Sequence, residues 1–131
     1  MTKMDTGKRF RVIYNYPYFL KALAVYTPFA YLINDGLIFT DKYVYTDTGY
    51  FPGEQKIFYS EIKSFAKIGK FTLEINLDKN FFPRVKKLKT YSTYYFNKIV
   101  EESQAFYINS WNISPIITEL ERHKIKRLKD S

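Results

Sequence analysis

The chain has 131 residues, 46% of them hydrophobic and 26% charged, proportions that fit one folded domain and argue against a disordered chain. With no cysteine and a single histidine, it cannot build a disulfide framework, a thiol nucleophile or a Cys-ligated zinc site, and it has little for other metal or acid–base chemistry. The net charge of +8 points to an anionic partner, whether nucleic acid, a phospholipid surface or an acidic protein, although the A/T-rich codons of Lys, Ile, Asn, Tyr and Phe would raise the basic and aromatic counts without any binding role.

Residues 1–7 are short and polar and lack the apolar stretch and small-residue cleavage site of a signal peptide. The chain is therefore read as cytoplasmic, with peripheral membrane contact as the alternative. Residues 16–33 are the most apolar, but Lys21 and Pro28 interrupt them and Asn34-Asp35 ends them. A membrane span needs about 20 predominantly apolar residues. Residues 10–14 read as a strand. Residues 15–26 read as a short helix capped by Asn15, with Phe19, Leu20, Leu23 and Tyr26 on one face, and Thr27-Pro28 ends it.

From Gly36 the period changes to two. Leu37, Ile38 and Phe39, then Tyr43, Val44 and Tyr45, form strands around the turn Thr40-Asp41-Lys42. Pro52-Gly53 marks another turn, and residues 57–62 read as a third strand. Phe71, Leu73, Ile75 and Leu77 alternate with polar residues, the signature of a strand with one buried and one wet face. Asp78-Lys79-Asn80 turns the chain into a basic strand over residues 84–91. Residues 94–103 read as a helix and residues 105–108 as a short strand. A final helix starts at Ser114 as N-cap with Pro115 behind it. It places Ile116, Ile117, Leu120 and Leu128 on one broad face and its basic residues late.

The run Gly36-Leu37-Ile38-Phe39-Thr40-Asp41-Lys42-Tyr43-Val44-Tyr45, with Ile57-Phe58-Tyr59-Ser60-Glu61-Ile62-Lys63-Ser64-Phe65 after it, resembles the bacterial pleckstrin-homology-like and GRAM-like domains. The resemblance extends over residues 31–128 and is strongest over 36–77. It implies a C-terminal helix plugging one end of a strand barrel, and a function of binding phosphoinositides, peptides or other proteins. The best-known phosphoinositide-binding members carry a basic signature in the first long strand–strand loop. Thr40-Asp41-Lys42 and residues 46–54 offer little positive charge, so that mode is not carried over.

Four places could carry function. In residues 81–89, Phe81 and Phe82 beside Arg84, Lys86, Lys87 and Lys89 could enter a bilayer while the charges meet headgroups, each contributing about 1 kcal/mol. Lys79 is expected to share this candidate binding patch, because the turn at 78–80 folds the chain back; the competing reading puts the phenylalanines in the core and the lysines on a solvated strand. Arg122, Lys124, Lys126 and Arg127 form a second basic patch that could touch phosphates or simply end a helix. Tyr91, Tyr94, Tyr95 and Phe96 could stack bases, but no RNA-recognition or cold-shock motif accompanies them. His123 lies among basic residues without a carboxylate cluster and reads as an exposed surface side chain.

The expected fold is α+β and mostly β: one domain over residues 1–131, with its core at 31–128 and an N-terminal extension at 1–30. It is a strongly bent antiparallel sheet or partly open barrel of about six to seven strands with a C-terminal helix. The expected function is a non-enzymatic binding module without cofactor or metal. It would engage a protein partner or a second copy through the barrel rim or an exposed strand edge. An anionic membrane and nucleic acid, the latter including an inhibitor of a nucleic-acid-binding partner, are the alternatives.

Overall fold

In the computed structural model, residues 7–13, 21–26, 34–47, 55–86 and 104–129 are described. Seven strands, β1 (Lys8–Ile13), β2 (Asn34–Phe39), β3 (Tyr43–Asp47), β4 (Gln55–Phe58), β5 (Ile62–Gly69), β6 (Thr72–Leu77) and β7 (Ala105–Asn109), pair in the order β4-β3-β2-β1-β7-β6-β5. All seven strands pair antiparallel. Three helices accompany them among the described residues: α1 (Lys21–Tyr26), α2 (Phe81–Lys86) and α3 (Ser114–Arg122). The fold is therefore α+β, mostly β, with a C-terminal helix.

The connectivity forces curvature. A flat seven-stranded sheet would hold its outer strands roughly 29 Å apart. Here the outer strands are β4 and β5, consecutive in the chain and joined by the 3-10 turn Tyr59–Glu61. The four Cα steps across that turn span at most about 15 Å, so the sheet bends back on itself. The bend falls where β1 meets β7 through the single pairing of Ile13 with Asn109. It separates a β4-β3-β2-β1 block from a β7-β6-β5 block, and the ladder does not close between β4 and β5.

The inner faces of both blocks enclose one apolar cluster, in which Val12, Leu37, Phe39 and Val44 meet Phe65, Leu73, Ile75 and Phe106. Helix α3 lays Ile116, Ile117 and Leu120 into the same cluster. Alternation on β6 holds: Leu73, Ile75 and Leu77 point inward, while Glu74 and Asn76 are partly exposed. On the outer face of β5-β6-β7, α1 covers a second cluster in which Ala24 packs with Ala66, Ile68, Ala105 and Tyr107. Thr72 Oγ and Asn109 Nδ2 both donate to the Ala24 carbonyl, at 3.1 and 3.0 Å, and fix the helix there.

Four expectations are corrected. Residues 57–62 are not one strand, because Glu61 Oε1 accepts the Phe58 N–H at 2.9 Å and closes a tight turn between β4 and β5. The basic strand expected at 84–91 begins as helix α2, started by the Phe81 N–H donating to the Asp78 carbonyl at 3.0 Å. Pro83 fits there because the first helical turn needs no N–H from it; residues 87–91 lie outside the described set. Helix α3 has Ile113, not Ser114, at its cap position, without a side-chain cap hydrogen bond, so Ser114 is its first helical residue.

Helix α3 also ends at Arg122, short of Leu128. Lys124 takes a left-handed φ of 63°, the Ile125 N–H reaches the Leu120 carbonyl at 3.0 Å, and the Lys124 N–H reaches the Glu121 carbonyl at 2.9 Å. This is a Schellman stop with lysine in the position usually held by glycine. The chain then runs as a strap along β5: the Phe65 N–H donates to the Lys126 carbonyl at 2.9 Å and the Leu128 N–H to the Phe65 carbonyl at 2.7 Å. The helix expected at 94–103 and the cap at Asn15 lie outside the described residues.

Candidate functional site

Two residues of the segment expected to bind anions, Phe81 and Arg84, are committed to the fold. Phe81 is 0% exposed and belongs to the core. Arg84, one helical turn along α2, donates Nε and Nη2 to Glu61 Oε2 and Oε1 at 2.6 and 2.7 Å, and Nη2 also reaches the Lys56 carbonyl. Phe81 is thus not available to a bilayer, and Arg84 is engaged within the protein. Lys79 is exposed on its turn. The side chains of Phe82 and Lys86, and residues Lys87 and Lys89 entirely, lie outside the described set, as do Tyr91, Tyr94, Tyr95 and Phe96.

The second basic patch divides. Arg122 closes on the buried Glu119, with Nη2 to Oε1 at 2.9 Å, and Lys8 reaches the same carboxylate at 3.4 Å. The Arg122 hydrogen bonds, with smaller help from Lys8, hold the Glu119 carboxyl below its usual range despite burial. Lys124, Lys126 and Arg127 are exposed, but on the strap and not on a helical face.

His123 is half-buried, not exposed. Its ring stacks on Tyr59 with centroids 4.0 Å apart and lies parallel to Phe39 at 6.3 Å. Burial first, then Arg122, pushes the imidazole below its ordinary pKa, against smaller opposing effects of Glu119 and Asp41. The Tyr59 hydroxyl donates to the Thr40 carbonyl at 2.6 Å. Among the described residues no group of three or more His, Asp or Glu side chains is placed to hold a metal ion. No described helix is long and apolar enough to cross a membrane.

Both sheet edges are also partly covered. On β4, Lys56 and Phe58 turn their backbone groups outward; Arg84 satisfies the carbonyl of the first and Glu61 the N–H of the second. On β5 the strap does the same for Phe65. Neither edge offers a continuous open row to another strand.

Among the described residues, an exposed aromatic cluster sits at the end of the β7-β6-β5 block. Trp111, the only tryptophan, is 69% exposed in the turn between β7 and α3. Its ring meets the edge of Phe71 at 5.5 Å, and the Lys70 ammonium lies 5.4 Å from the centre of the Phe71 ring. Two features fix this turn: the Ser110 N–H donates to the Phe71 carbonyl at 3.0 Å, and Ser110 Oγ accepts from the Asn112 N–H at 3.2 Å. Tyr26, 82% exposed, ends α1 two residues after the carbonyl that Asn109 and Thr72 hold. Sequence reasoning missed this rim. Its signal is an aromatic residue between Ser110 and Asn112, two residue types that favour turns.

No family model, no curated relative and no solved structure matches the chain.

Proposed function

We propose that the chain is a non-enzymatic binding module of pleckstrin-homology-like architecture that docks a protein partner on the rim formed by Trp111, Phe71 and Lys70. The exposure of the sole tryptophan carries this reading. Trp and Tyr are enriched where a large apolar body and a polar tip are both needed, as at protein interfaces. The seven-stranded order and the packing of α3 into the sheet's inner face agree with what the resemblance implies for the architecture. The partial cover on both edges favours side-chain docking over strand addition.

The test places a photo-crosslinking residue at position 111 and, as control, at Lys79, then identifies any adduct by mass spectrometry. The identified partner, purified, should shift the emission of Trp111 to the blue. Trp111→Ala should weaken it by about 2 kcal/mol, roughly thirtyfold. Equal adducts at both positions, or unchanged affinity in Trp111→Ala, would overturn the reading.

A further inference from the structure

Beyond α1, the outer face of β5 and β6 opens into a groove of about 460 Å³ between that sheet and the strap. This volume lies within the range of small-molecule sites. Ser64 forms part of its floor and is 4% exposed. Ser64 Oγ accepts from Asn76 Nδ2 at 3.1 Å, while its own proton has no acceptor among the described residues. A buried hydroxyl in that condition calls for an acceptor from the groove.

The walls carry two lysines. Lys63 and Lys126 are exposed on either side, and neither ammonium has a carboxylate partner among the described residues. The strap's two hydrogen bonds to Phe65 hold the backbone of Lys126 in place. Glu74, the one acid in the lining, is already engaged by the Tyr107 hydroxyl and lies 4.0 Å from the Lys21 ammonium. Gln104 borders the groove with a left-handed φ of 50°, and its side-chain amide has no partner among the described residues. Strained backbone of this kind persists where the surroundings fix it and gathers at ligand sites.

We infer that the groove binds a small molecule bearing an oxyanion, either phosphate or carboxylate. Lys63 and Lys126 supply the charge, and the Ser64 hydroxyl and the Gln104 amide supply directed hydrogen bonds. This site is separate from the Trp111 rim and stands whether or not that rim docks a protein.

Amide correlation spectra of the labelled full chain, titrated in turn with inorganic phosphate, glucose 6-phosphate and citrate, test it. Saturable shifts should gather on residues 63–65, 76, 104 and 126. The strongest of the three probes distinguishes phosphate from carboxylate. The double variant Lys63→Gln with Lys126→Gln should keep its thermal midpoint and lose affinity about tenfold, and Ser64→Ala should lose it about fivefold. Lys79→Gln should bind like the wild type. Absence of saturation with all three probes, shifts spread evenly over the surface lysines, or unchanged affinity in the double lysine variant would overturn the inference.

Discussion

Arg84 and Glu61 lie 23 residues apart in the chain and together occupy the outward edge of β4. The guanidinium grips both carboxylate oxygens while also satisfying the Lys56 carbonyl, and the same carboxylate takes the Phe58 N–H. An ion pair thus stands where a neighbouring strand would stand. Edges left bare are sites of unwanted pairing.

Removing one partner should therefore do more than cancel a surface salt bridge. In Arg84→Ala the Glu61 carboxylate stays buried without its counter-charge, which costs about 3–5 kcal/mol in a fully buried pair. The Arg84 side chain is about one-third exposed, so solvent screening brings the expected cost below that range, to about 2–3 kcal/mol. Urea unfolding reads the stability loss, and sedimentation reads the self-association of the uncovered β4. A loss under about 0.5 kcal/mol would show that the pair is only a surface contact.

Helix α3 stops at a lysine in the left-handed region, a conformation that costs a residue with a Cβ about 1 kcal/mol. Lys124→Gly should raise stability by roughly that amount. Lys124→Ala, which keeps the Cβ, should not. Thermal midpoints of the two variants measured side by side decide the point, and equal midpoints would remove the strain argument.

The same lysine explains why the end of α3 was hidden in the sequence. Glycine or proline normally announces such a stop, and residues 122–128 contain neither, so the helical pattern ran on to Leu128. Strand β6 was plain because one face is wet and Leu73, Ile75 and Leu77 alternate cleanly. The later part of β5 was not, because Phe65 faces the core while Ala66 and Ile68 face α1, and a strand buried on both sides has no alternation to show. Helix α2 was missed because residues 84–91 read as a weakly alternating basic strand, and only the Asp78 carbonyl and the distant Glu61 give residues 81–86 a helical role. The exposed rim depends on the β7–α3 turn landing beside the β5–β6 turn, a relation that local sequence does not encode.

His123 gives the fold a pH dependence of definite sign. Its folded pKa lies below the ordinary value of 6.5, chiefly through burial, with Arg122 acting in the same direction and Glu119 and Asp41 opposing. The unfolded chain therefore takes up a proton first as pH falls. The stability that the neutral ring contributes is full above 6.5 and drains away below it, until the folded pKa is passed. Glu119 adds a second window: its carboxyl is held below 4.5, so its contribution is lost only as pH falls beneath that value. His123→Phe keeps a ring on Tyr59 and should flatten the upper window while leaving the lower one. Unfolding free energies from about pH 8 to about pH 3 would show this. An unchanged slope between about 6.5 and 5 in the variant would assign that window to another group.

The strap makes the last prediction. Phe65 on β5 has its N–H and its carbonyl both taken by residues 126 and 128, in parallel register around Arg127. No strand of the sheet lies on that side, since β5 ends the order. Ending the chain after Ile125 keeps the Schellman stop and its buried isoleucine and removes only the strap. Two hydrogen bonds worth about 1 kcal/mol each should be lost, so stability should fall by about 2 kcal/mol. Leu128→Pro removes one donor alone and should cost about half as much. Hydrogen exchange separates this loss from general loosening: the Phe65 amide should exchange much faster in the truncated chain, while that of Ile75 on β6 should slow or quicken only in proportion to global stability. The uncovered β5 should also pair between molecules, giving more self-association in sedimentation than the wild type shows under the same conditions. If the Phe65 amide remains as protected as before, the strap adds nothing to the edge.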